Sequence, residues 1–477
     1  MKKIIFLTLL FLFQGSLLFA QPDTAWTRTF GGSQSDGGYS VQQTKDGGYI
    51  VTGYSGTNSA GGVDVYLIKT NANSDTVWTR LYGGWSNDYG SSVVQTSDSG
   101  YIVTGWNCSF IGQSLLWLLK INQSGDTVWT RTFEADSKYS LGNSVQQTKD
   151  GGYIVAGVVK VHGVSNSDIW LIKTDANGDT VWTKTFGGAR TDEAYQVQPT
   201  KDGGFIVVGR TLSFSTEGSW DIWLIKTDSL GDTLWTRTLG DTGRATEEGF
   251  SVQQTFDGGY VIVGERSYTS DGDDADVWLV KTDESGDTLW TRTFGGPDND
   301  IGYSVRQTSD GGFIIASNTG PSDIDQDVWL IKTDSLGNTI WTKTLGGPDR
   351  DEVHDLAITS DGDYVIIGWT NSYGAGCNDV WLIKIGSAIG AEENLKPEIR
   401  TKLEIFPNPF RQKTEIKLLP GSKTLEIYDL TGRVVKTLTG KNSVIWDGKD
   451  NHGNLVTAGI YFCRLNGGSP EKIIKIK

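Results

Sequence analysis

Acidic side chains recur through most of the chain at intervals of roughly 50 residues. Carboxylates spaced in this way could bind a cation, or could accept hydrogen bonds from a sugar or a peptide. The simpler interpretation is that each carboxylate accepts hydrogen bonds from the backbone amides of its own turn. We take one acidic residue from each of six loops as a candidate binding ring. These residues are Asp36, Asp88, Asp192, Glu248, Asp300 and Asp351. The same six loops also contain Glu193, Glu247 and Glu352, and the seventh loop of this kind contains Asp136.

A second acidic pattern offers alternating carboxylates to calcium: Asp323, Asp325 and Asp327, with a comparable run at residues 271–276. Neither run completes a calcium loop, since Val328 stands where a glycine is required at the sixth position. Asp327 also occupies a regular position in a longer repeat. Calcium is therefore the only cofactor for which the sequence offers candidates, and we predict no other metal or cofactor.

Residues for nucleophilic or metal-assisted catalysis are sparse. The three histidines, His162, His354 and His452, are far apart, and no zinc-ligand spacing, G-x-S-x-G turn or phosphate-binding glycine loop occurs. We therefore predict no catalytic residues and expect that the protein is not an enzyme. An active site assembled from scattered residues stays open as the alternative.

Three sequence markers each occur seven times, and their spacing defines one repeat. One is the D-G-G-[YF] turn, imperfect in two copies, and another is an aromatic residue followed by L-[ILV]-K. The third is W-T-[RK], whose tryptophans are Trp26, Trp78, Trp129, Trp182, Trp235, Trp290 and Trp341.

Each repeat predicts four short strands joined by Asp-Gly and Asn-Gly turns. Seven four-stranded meanders predict an all-β fold, a seven-bladed β-propeller. Residues 26–30 form a fourth strand with no preceding partners, and residues 380–384 form a third strand with none following. We expect the N-terminal strand to complete the last blade and close the ring.

The turn into the fourth strand resembles the tryptophan-docking repeat of quinoprotein-like propellers, because Gly178 precedes Trp182 by four residues. The D-G-G-[YF] turns resemble kelch propellers more loosely. Both resemblances imply a propeller fold, and neither carries a catalytic site to this chain.

The last 77 residues contain a different series of motifs: I-F-P-N-P-F at 405–410, Y-D-L-T-G-R-V-V at 428–435, W-D-G-K-D at 446–450 and A-G-I-Y-F at 458–462. This series resembles the C-terminal sorting domain of type IX secretion cargo, an immunoglobulin-like sandwich related to the flagellar hook-cap module. The resemblance implies passage across an outer membrane, often with removal of the tail and attachment to surface lipopolysaccharide.

The chain therefore divides into a signal peptide at 1–20, a propeller at 21–386, a polar linker at 387–400 and a sorting domain at 401–477. Beyond the signal peptide we expect no transmembrane segment. Three scattered cysteines predict no disulfide framework and leave their redox state open: Cys108, Cys377 and Cys463.

The net charge is −15, although residues 401–477 carry 13 Lys or Arg against 7 Asp or Glu, so the acidity lies in the repeats. An acidic body repels nucleic acid and anionic membranes, and we expect neither as a partner. We predict a secreted or cell-surface monomer that binds an extracellular glycan, peptide or protein, and that meets the secretion machinery through residues 401–477. The alternatives are an extracellular propeller enzyme, either a quinoprotein-like oxidoreductase or a carbohydrate-active hydrolase, and a purely structural surface protein.

Overall fold

A computed structural model describes residues 22–476, except residues 110–112, 135–138, 161–165, 216–217, 241–244, 268–273, 322–324, 387–404, 407, 418–423, 430–432, 441–442 and 466–470. The predicted signal peptide and linker lie outside the described residues. The chain forms two compact units, residues 1–391 and 392–477. Each unit is described separately below.

Seven four-stranded antiparallel sheets make up the first unit, and the described residues contain no helix. We number the resulting blades 1 to 7 by their first strands. These innermost strands are β2 (Asp36–Gln43), β6 (Asp88–Gln95), β10 (Ser140–Gln147), β14 (Asp192–Pro199), β18 (Thr246–Gln254), β22 (Ile301–Gln307) and β26 (Asp351–Ile358). The second strands are β3 (Tyr49–Ser55), β7 (Tyr101–Asn107), β11 (Tyr153–Lys160), β15 (Phe205–Thr211), β19 (Tyr260–Ser267), β23 (Phe313–Thr319) and β27 (Tyr364–Thr370).

The third strand of each blade is buried on both faces between neighbouring blades. The third strands are β4 (Asp64–Thr70), β8 (Leu115–Ile121), β12 (Ser167–Thr174), β16 (Asp221–Thr227), β20 (Ala275–Thr282), β24 (Asp327–Thr333) and β28 (Asp379–Ile385). The outer strands are β5 (Thr76–Tyr82), β9 (Thr127–Phe133), β13 (Thr180–Phe186), β17 (Thr233–Leu239), β21 (Thr288–Phe294), β25 (Thr339–Leu345) and, from the N-terminus, β1 (Thr24–Phe30).

The ring closes as predicted, because β1 pairs with β28 and completes the sheet β26-β27-β28-β1. The inner strand β2 packs against β26 and β27 across this last junction. Apolar cores lie between neighbouring blades; one combines Ile154 and Leu171 of blade 3 with Val197, Val207 and Trp223 of blade 4. The all-β, seven-bladed fold is therefore confirmed.

A lysine of the third strand forms an ion pair with the aspartate of the D-G-G turn in its own blade. Lys173 Nζ lies 2.8 Å from Asp150 Oδ2 and donates a 2.8 Å hydrogen bond to the Thr174 carbonyl. A Cβ on Gly152 would lie 2.1 Å from that same carbonyl oxygen, which explains the second glycine. The equivalent pairs are Lys69–Asp46, Lys120–Asp98, Lys226–Asp202, Lys281–Asp257, Lys332–Asp310 and Lys384–Asp361.

In blades 1 to 5, the tryptophan of the outer strand contacts the third-to-fourth turn of the following blade. A Cβ on Gly178, whose φ is +80°, would lie 2.7 Å from the Trp129 ring of the preceding blade. Gly231 and Trp182 repeat the contact one blade later. The resemblance to tryptophan-docking repeats thus corresponds to a physical contact between blades.

The second unit contains two sheets with one core. The first sheet has the order β29-β30-β33 and the second the order β32-β31-β34-β35. Their strands are β29 (Ile405–Phe406), β30 (Thr414–Lys417), β31 (Thr424–Tyr428), β32 (Val434–Thr439), β33 (Ser443–Trp446), β34 (Gly459–Leu465) and β35 (Glu471–Lys475). Trp446 is fully buried among Phe410, Ile427, Tyr461 and Ile473. Seven short strands around one core agree with the predicted sandwich.

Candidate functional site

The meander places its connections on two faces of the ring. The first-to-second and third-to-fourth turns share one end of every blade, which we call the turn face. The second-to-third loops and the connections to the next blade share the other end, which we call the loop face. The candidate acidic ring lies at the start of the inner strands and therefore belongs to the loop face.

Most of the candidate acidic ring is buried inside its own turns. Asp88 has no exposed surface, and its carboxylate accepts hydrogen bonds from Gly84 N at 2.9 Å, Cys108 N at 2.9 Å and Ser109 Oγ at 2.7 Å. Asp192 has the same surroundings, with Gly188 N at 2.9 Å. Asp36, Asp300 and Asp351 repeat the pattern at their own inner strands. This geometry favours the capping interpretation, because these carboxylates accept hydrogen bonds from backbone amides and are buried from solvent.

Glu248 is the exception in that ring, because it points into a charged cluster at the inner strands. Arg210 lies between two carboxylates, at 2.5 Å from Glu248 Oε1 and 2.5 Å from Glu193 Oε2. The guanidinium also lies 4.1 Å from the centre of the Trp220 ring. Burial and the adjacent Glu248 carboxylate raise the pKa of Glu265 to about 7. The cluster thus places a carboxyl group that titrates near neutral pH beside a carboxyl group held by an arginine.

Every inner strand has a β-bulge near its start, where one residue has no partner in the second strand. A bulge leaves one residue outside the ladder and turns its side chain away from the regular alternation. The bulged residues are Tyr39, Ser91, Asn143, Tyr195, Phe250, Tyr303 and His354. They face the centre of the ring, because the inner strands are the ones that meet there.

Ring contacts join five of these bulged residues into an aromatic belt that continues over three further side chains. His354 lies 4.9 Å from Tyr39 and 5.5 Å from Tyr303, measured between ring centres. Tyr89 stacks on Trp106 at 4.8 Å. In order of contact the aromatic belt is Tyr195, Phe250, Tyr303, His354, Tyr39, Tyr54, Tyr89 and Trp106. It surrounds the centre from blade 4 through blades 5, 6, 7 and 1 to blade 2.

Of the two histidines in the described part of the chain, His354 lies in this region. Burial lowers its pKa to about 4, and Arg350 adds to the effect, so the imidazole is neutral at pH 7. Its Nε2 lies 3.7 Å from Glu352 Oε2 and forms no hydrogen bond. His162 lies outside the described residues, and His452 belongs to the second unit.

Pairs of aspartates meet where one blade contacts the next on the loop face. A Cβ on Gly83 would lie 2.1 Å from Asp64 Oδ1 and 2.5 Å from Asp88 Oδ2, so both oxygens face the same small space. Burial raises the pKa of Asp168 to about 6, and its partner Asp192 adds to the rise. We call five such combinations the junction pairs: Asp64 with Asp88, Asp168 with Asp192, Asp276 with Asp300, Asp327 with Asp351 and Asp379 with Asp36.

The calcium candidates from the sequence are described only in part. Asp323 lies outside the described residues, as do Asp136, Asp271 and Asp273. Asp325 is described, and Asp327 belongs to a junction pair instead. Within the described ranges, no group of three or more His, Cys, Asp or Glu side chains is arranged to hold a metal ion.

The cysteines form no disulfide bond among the described residues. Cys377 is exposed, Cys108 is half-buried near Ser114, and Cys463 belongs to the core of the second unit.

Residues 404–477 match the family described as the secretion system C-terminal sorting domain. This segment is a sorting domain. It marks the protein for type IX secretion to the cell surface or the extracellular space, so the predicted localisation is confirmed. Interaction of the sorting domain with the secretion machinery follows from the same match. The described part of the chain has no helix long and apolar enough to cross a membrane.

A curated relative is the regulatory protein FlaEY of Caulobacter vibrioides, 28% identical over 262 residues, which are 47% of this chain and 26% of the relative. This chain thus spans about a quarter of the length of that relative.

Among solved structures, a protein of unknown function from Dyadobacter fermentans is 11% identical, with coverage of 76% of this chain and 98% of that one and a TM-score of 0.44. The Pan2 WD40 domain of Neurospora crassa is 11% identical, with coverage of 75% and 90% and a TM-score of 0.46. An α-L-arabinanase of Penicillium chrysogenum complexed with arabinobiose is 13% identical, with coverage of 62% and 92% and a TM-score of 0.42. These likenesses are too distant to carry function, and the assignment of seven blades rests on the sheet order above.

Proposed function

We propose that this secreted ring binds an extracellular glycan at the loop-face mouth of its centre. The observation that carries the proposal is the aromatic belt: eight rings in unbroken contact around the inner strands. Aromatic faces provide flat apolar area that packs against the C–H faces of sugar rings, and neighbouring polar groups fix the orientation of the ligand.

Charged groups next to the belt supply that orientation. Arg210, Glu193 and Glu248 are held by one another and by Tyr195, whose hydroxyl lies 3.2 Å from Glu248 Oε2. A pre-ordered set of donors and acceptors loses little conformational entropy on binding. Sugar hydroxyl groups both donate and accept, so they match a cluster that contains both kinds of group.

A second candidate function is glycoside hydrolysis, and the Glu248–Glu265 pair favours it. The two residues are opposite each other in the β18–β19 ladder, and the pKa of Glu265 is raised to about 7. A carboxyl group with a raised pKa, placed beside a second carboxyl group, is the kind of group that serves as the general acid in this reaction. Binding ranks first because Arg210 and Tyr195 already engage both oxygens of Glu248.

The test is calorimetric titration of the mature chain with a panel of soluble oligosaccharides: a β-glucan hexamer, chitohexaose and an arabinan. We expect one class to bind, and Trp106→Ala to weaken its affinity tenfold or more. Trp85→Ala is the matched control, because Trp85 is 67% exposed and takes part in none of the belt contacts. Equal losses in both variants, or no binding to any class, would contradict the proposal.

The hydrolase alternative has its own readout in the same samples. Incubation of the bound oligosaccharide followed by chromatography detects new reducing ends if bonds are cleaved. Glu265→Gln removes the ionisable acid with little change of shape. If the wild type cleaves the oligosaccharide and Glu265→Gln binds it without cleaving it, the function is hydrolysis.

A further inference from the structure

Four of the five junction pairs contain a buried carboxylate oxygen that has no hydrogen-bond partner among the described residues. Asp64 is 3% exposed, and its Oδ2 accepts a 2.9 Å hydrogen bond from Ala60 N, whereas its Oδ1 accepts none. The same atom, Oδ1 of the third-strand aspartate, is also buried and unpartnered in Asp168, Asp276 and Asp327. A buried carboxylate oxygen without a hydrogen-bond partner lowers the stability of the fold. Its recurrence at four junctions therefore calls for a ligand or proton that interacts with it.

One cationic side chain lies near a junction pair. Among the described residues, no lysine, arginine or histidine forms an ion pair with an aspartate of the five pairs, but Arg266 is opposite Asp276 in the β19–β20 ladder and counteracts the rise of its pKa. Arg266 also lies 3.5 Å from Glu247 Oε1 at the junction of blades 4 and 5, where Asp221 faces Glu247. The described residues thus provide positive charge at these two junctions and none at the other four carboxylate pairs.

A glycine keeps the space between the two carboxylates open. At the five junction pairs, a Cβ on the glycine that follows the outer strand would lie 1.7 to 2.1 Å from Oδ1 of the third-strand aspartate. These glycines are Gly31, Gly83, Gly187, Gly295 and Gly346.

The junction of blades 2 and 3 lacks both features together. Leu115 and Ser140 replace the two aspartates, and Glu134 replaces the glycine. Ser140 Oγ there accepts a hydrogen bond from Leu116 N and donates one to the Phe133 carbonyl, so no polar atom of Ser140 is left over. The glycine therefore accompanies a pair of carboxylates at six junctions, including Gly240 beside Asp221 at the junction of blades 4 and 5, and both are absent at the junction of blades 2 and 3.

We propose that each junction pair is a calcium site, with the third-strand and inner-strand aspartates as its two carboxylate ligands. Calcium in proteins is coordinated by oxygen atoms. Carboxylates supply some of its ligands, and backbone carbonyls and water complete its coordination shell. The recurrence of two aspartates favours a cation over a shared proton. A pair that needed only a proton could use asparagine in place of one aspartate and keep the hydrogen bond at every pH. This inference concerns the blade junctions and does not rest on glycan binding at the centre.

Calcium binding is measured by equilibrium dialysis of the full mature chain against ⁴⁵Ca²⁺ at pH 7.5, after removal of metal with EGTA. We expect about five sites, with dissociation constants of roughly 10⁻⁴ to 10⁻³ M, as in extracellular modules. Calcium should also raise the melting temperature, because it binds the folded ring alone.

Single variants test the ligands. Asp64→Asn keeps the size of the side chain and should lower the number of bound ions by one. Asp98→Asn is the matched control, since Asp98 is paired with Lys120 on the turn face and should leave the number unchanged. Circular dichroism verifies that both variants are folded.

A gain of binding gives an independent check. The triple variant Glu134→Gly, Leu115→Asp, Ser140→Asp builds the missing pair at the junction of blades 2 and 3 and should add one ion. No bound calcium up to several millimolar would overturn the proposal. A melting temperature that rises on acidification and ignores calcium would do the same, and would assign a shared proton to the pairs.

Discussion

The two faces of the ring use the same residue type in opposite electrostatic settings. On the turn face, each D-G-G aspartate pairs with a buried lysine, as Asp150 does with Lys173 at 2.8 Å. On the loop face, the aspartates that begin inner strands meet other aspartates, as Asp88 meets Asp64 over Gly83. Both kinds of aspartate recur at the repeat period, so recurrence alone does not distinguish them. They are distinguished by the group that each carboxylate contacts.

This contrast distinguishes aspartates that stabilise the fold from aspartates that are candidates for ligand binding. A carboxylate that accepts hydrogen bonds from a lysine and a turn amide has its charge balanced within one blade, and it needs no ligand. A pair of carboxylates without a cation leaves charge unbalanced at the contact between two blades. The turn face therefore stabilises single blades, while the loop face depends on what the solvent supplies.

The largest expected effect on stability comes from replacing, in separate variants, the aspartate that begins β6 and the aspartate in the turn that follows β6. Asp88→Ala should lower the free energy of unfolding by about 3 to 5 kcal/mol, because several buried donors lose their acceptor and water cannot replace it. Asp98→Ala should cost only about 1 to 2 kcal/mol, because the Asp98 side chain is 63% exposed. Urea unfolding of both variants gives the two values. Similar losses at the two ends would remove the distinction between the faces.

A second pair of variants isolates the contact between blades on the turn face. Gly178 and Gly151 have φ values of +80° and +85°, so alanine strains the backbone equally at both. A new Cβ at Gly178 meets the Trp129 ring at 2.7 Å, whereas the one at Gly151 meets nothing within 4 Å.

Gly178→Ala should therefore cost about 2 to 3 kcal/mol, and Gly151→Ala about 1 kcal/mol. Thermal unfolding of the two proteins under identical conditions measures the difference. An equal loss would mean that the tryptophan moves aside without cost and that it does not hold neighbouring blades together.

The sequence predicts the repeat, the blades and the closure of the ring, because three markers recur in register and β1 and β28 are complementary fragments. It does not predict the aromatic belt. In a regular strand Tyr39 would share a face with Val41, yet Val41 is buried between blades and Tyr39 faces the centre. The bulge between Gly38 and Ser40 separates them, and nothing in the local sequence specifies a bulge at that position.

The sequence does not predict the pairing of the carboxylates for a different reason. Sequence spacing locates Asp88 and Asp64 at the ends of β6 and β4, but their meeting requires the packing of blade 1 against blade 2. The glycine in the connection between blades is the one local signal of this meeting. It is present at Gly83 and absent at Glu134, where the pair is absent too.

The smallest expected effect is the response of the turn face to acid. Hydrogen bonds from lysine, threonine and a turn amide lower the pKa values of Asp98, Asp150 and Asp202 to about 2, although partial burial of these carboxyl groups acts to raise them. A carboxyl whose pKa is lower in the folded state stabilises the fold above its unfolded pKa of about 3.9, and this contribution disappears as the pH falls to about 2. The melting temperature should fall over this range, and less steeply at high salt, since these aspartates are more than half exposed.

Lys173→Met tests whether the lysine causes that acid response. At pH 7 it should cost less than about 1 kcal/mol, because the methionine keeps the buried stem and Asp150 stays hydrated. Between pH 4 and pH 2 the variant should lose less stability than the wild type, because the pKa of Asp150 no longer lies as far below its ordinary value. Lys184→Met is the control, since Lys184 pairs with Asp232 at an exposed position between blades. Parallel pH curves for Lys173→Met and the wild type would mean that the turn amide and threonine alone hold Asp150, and the contrast between the faces would then rest on backbone donors rather than on lysine.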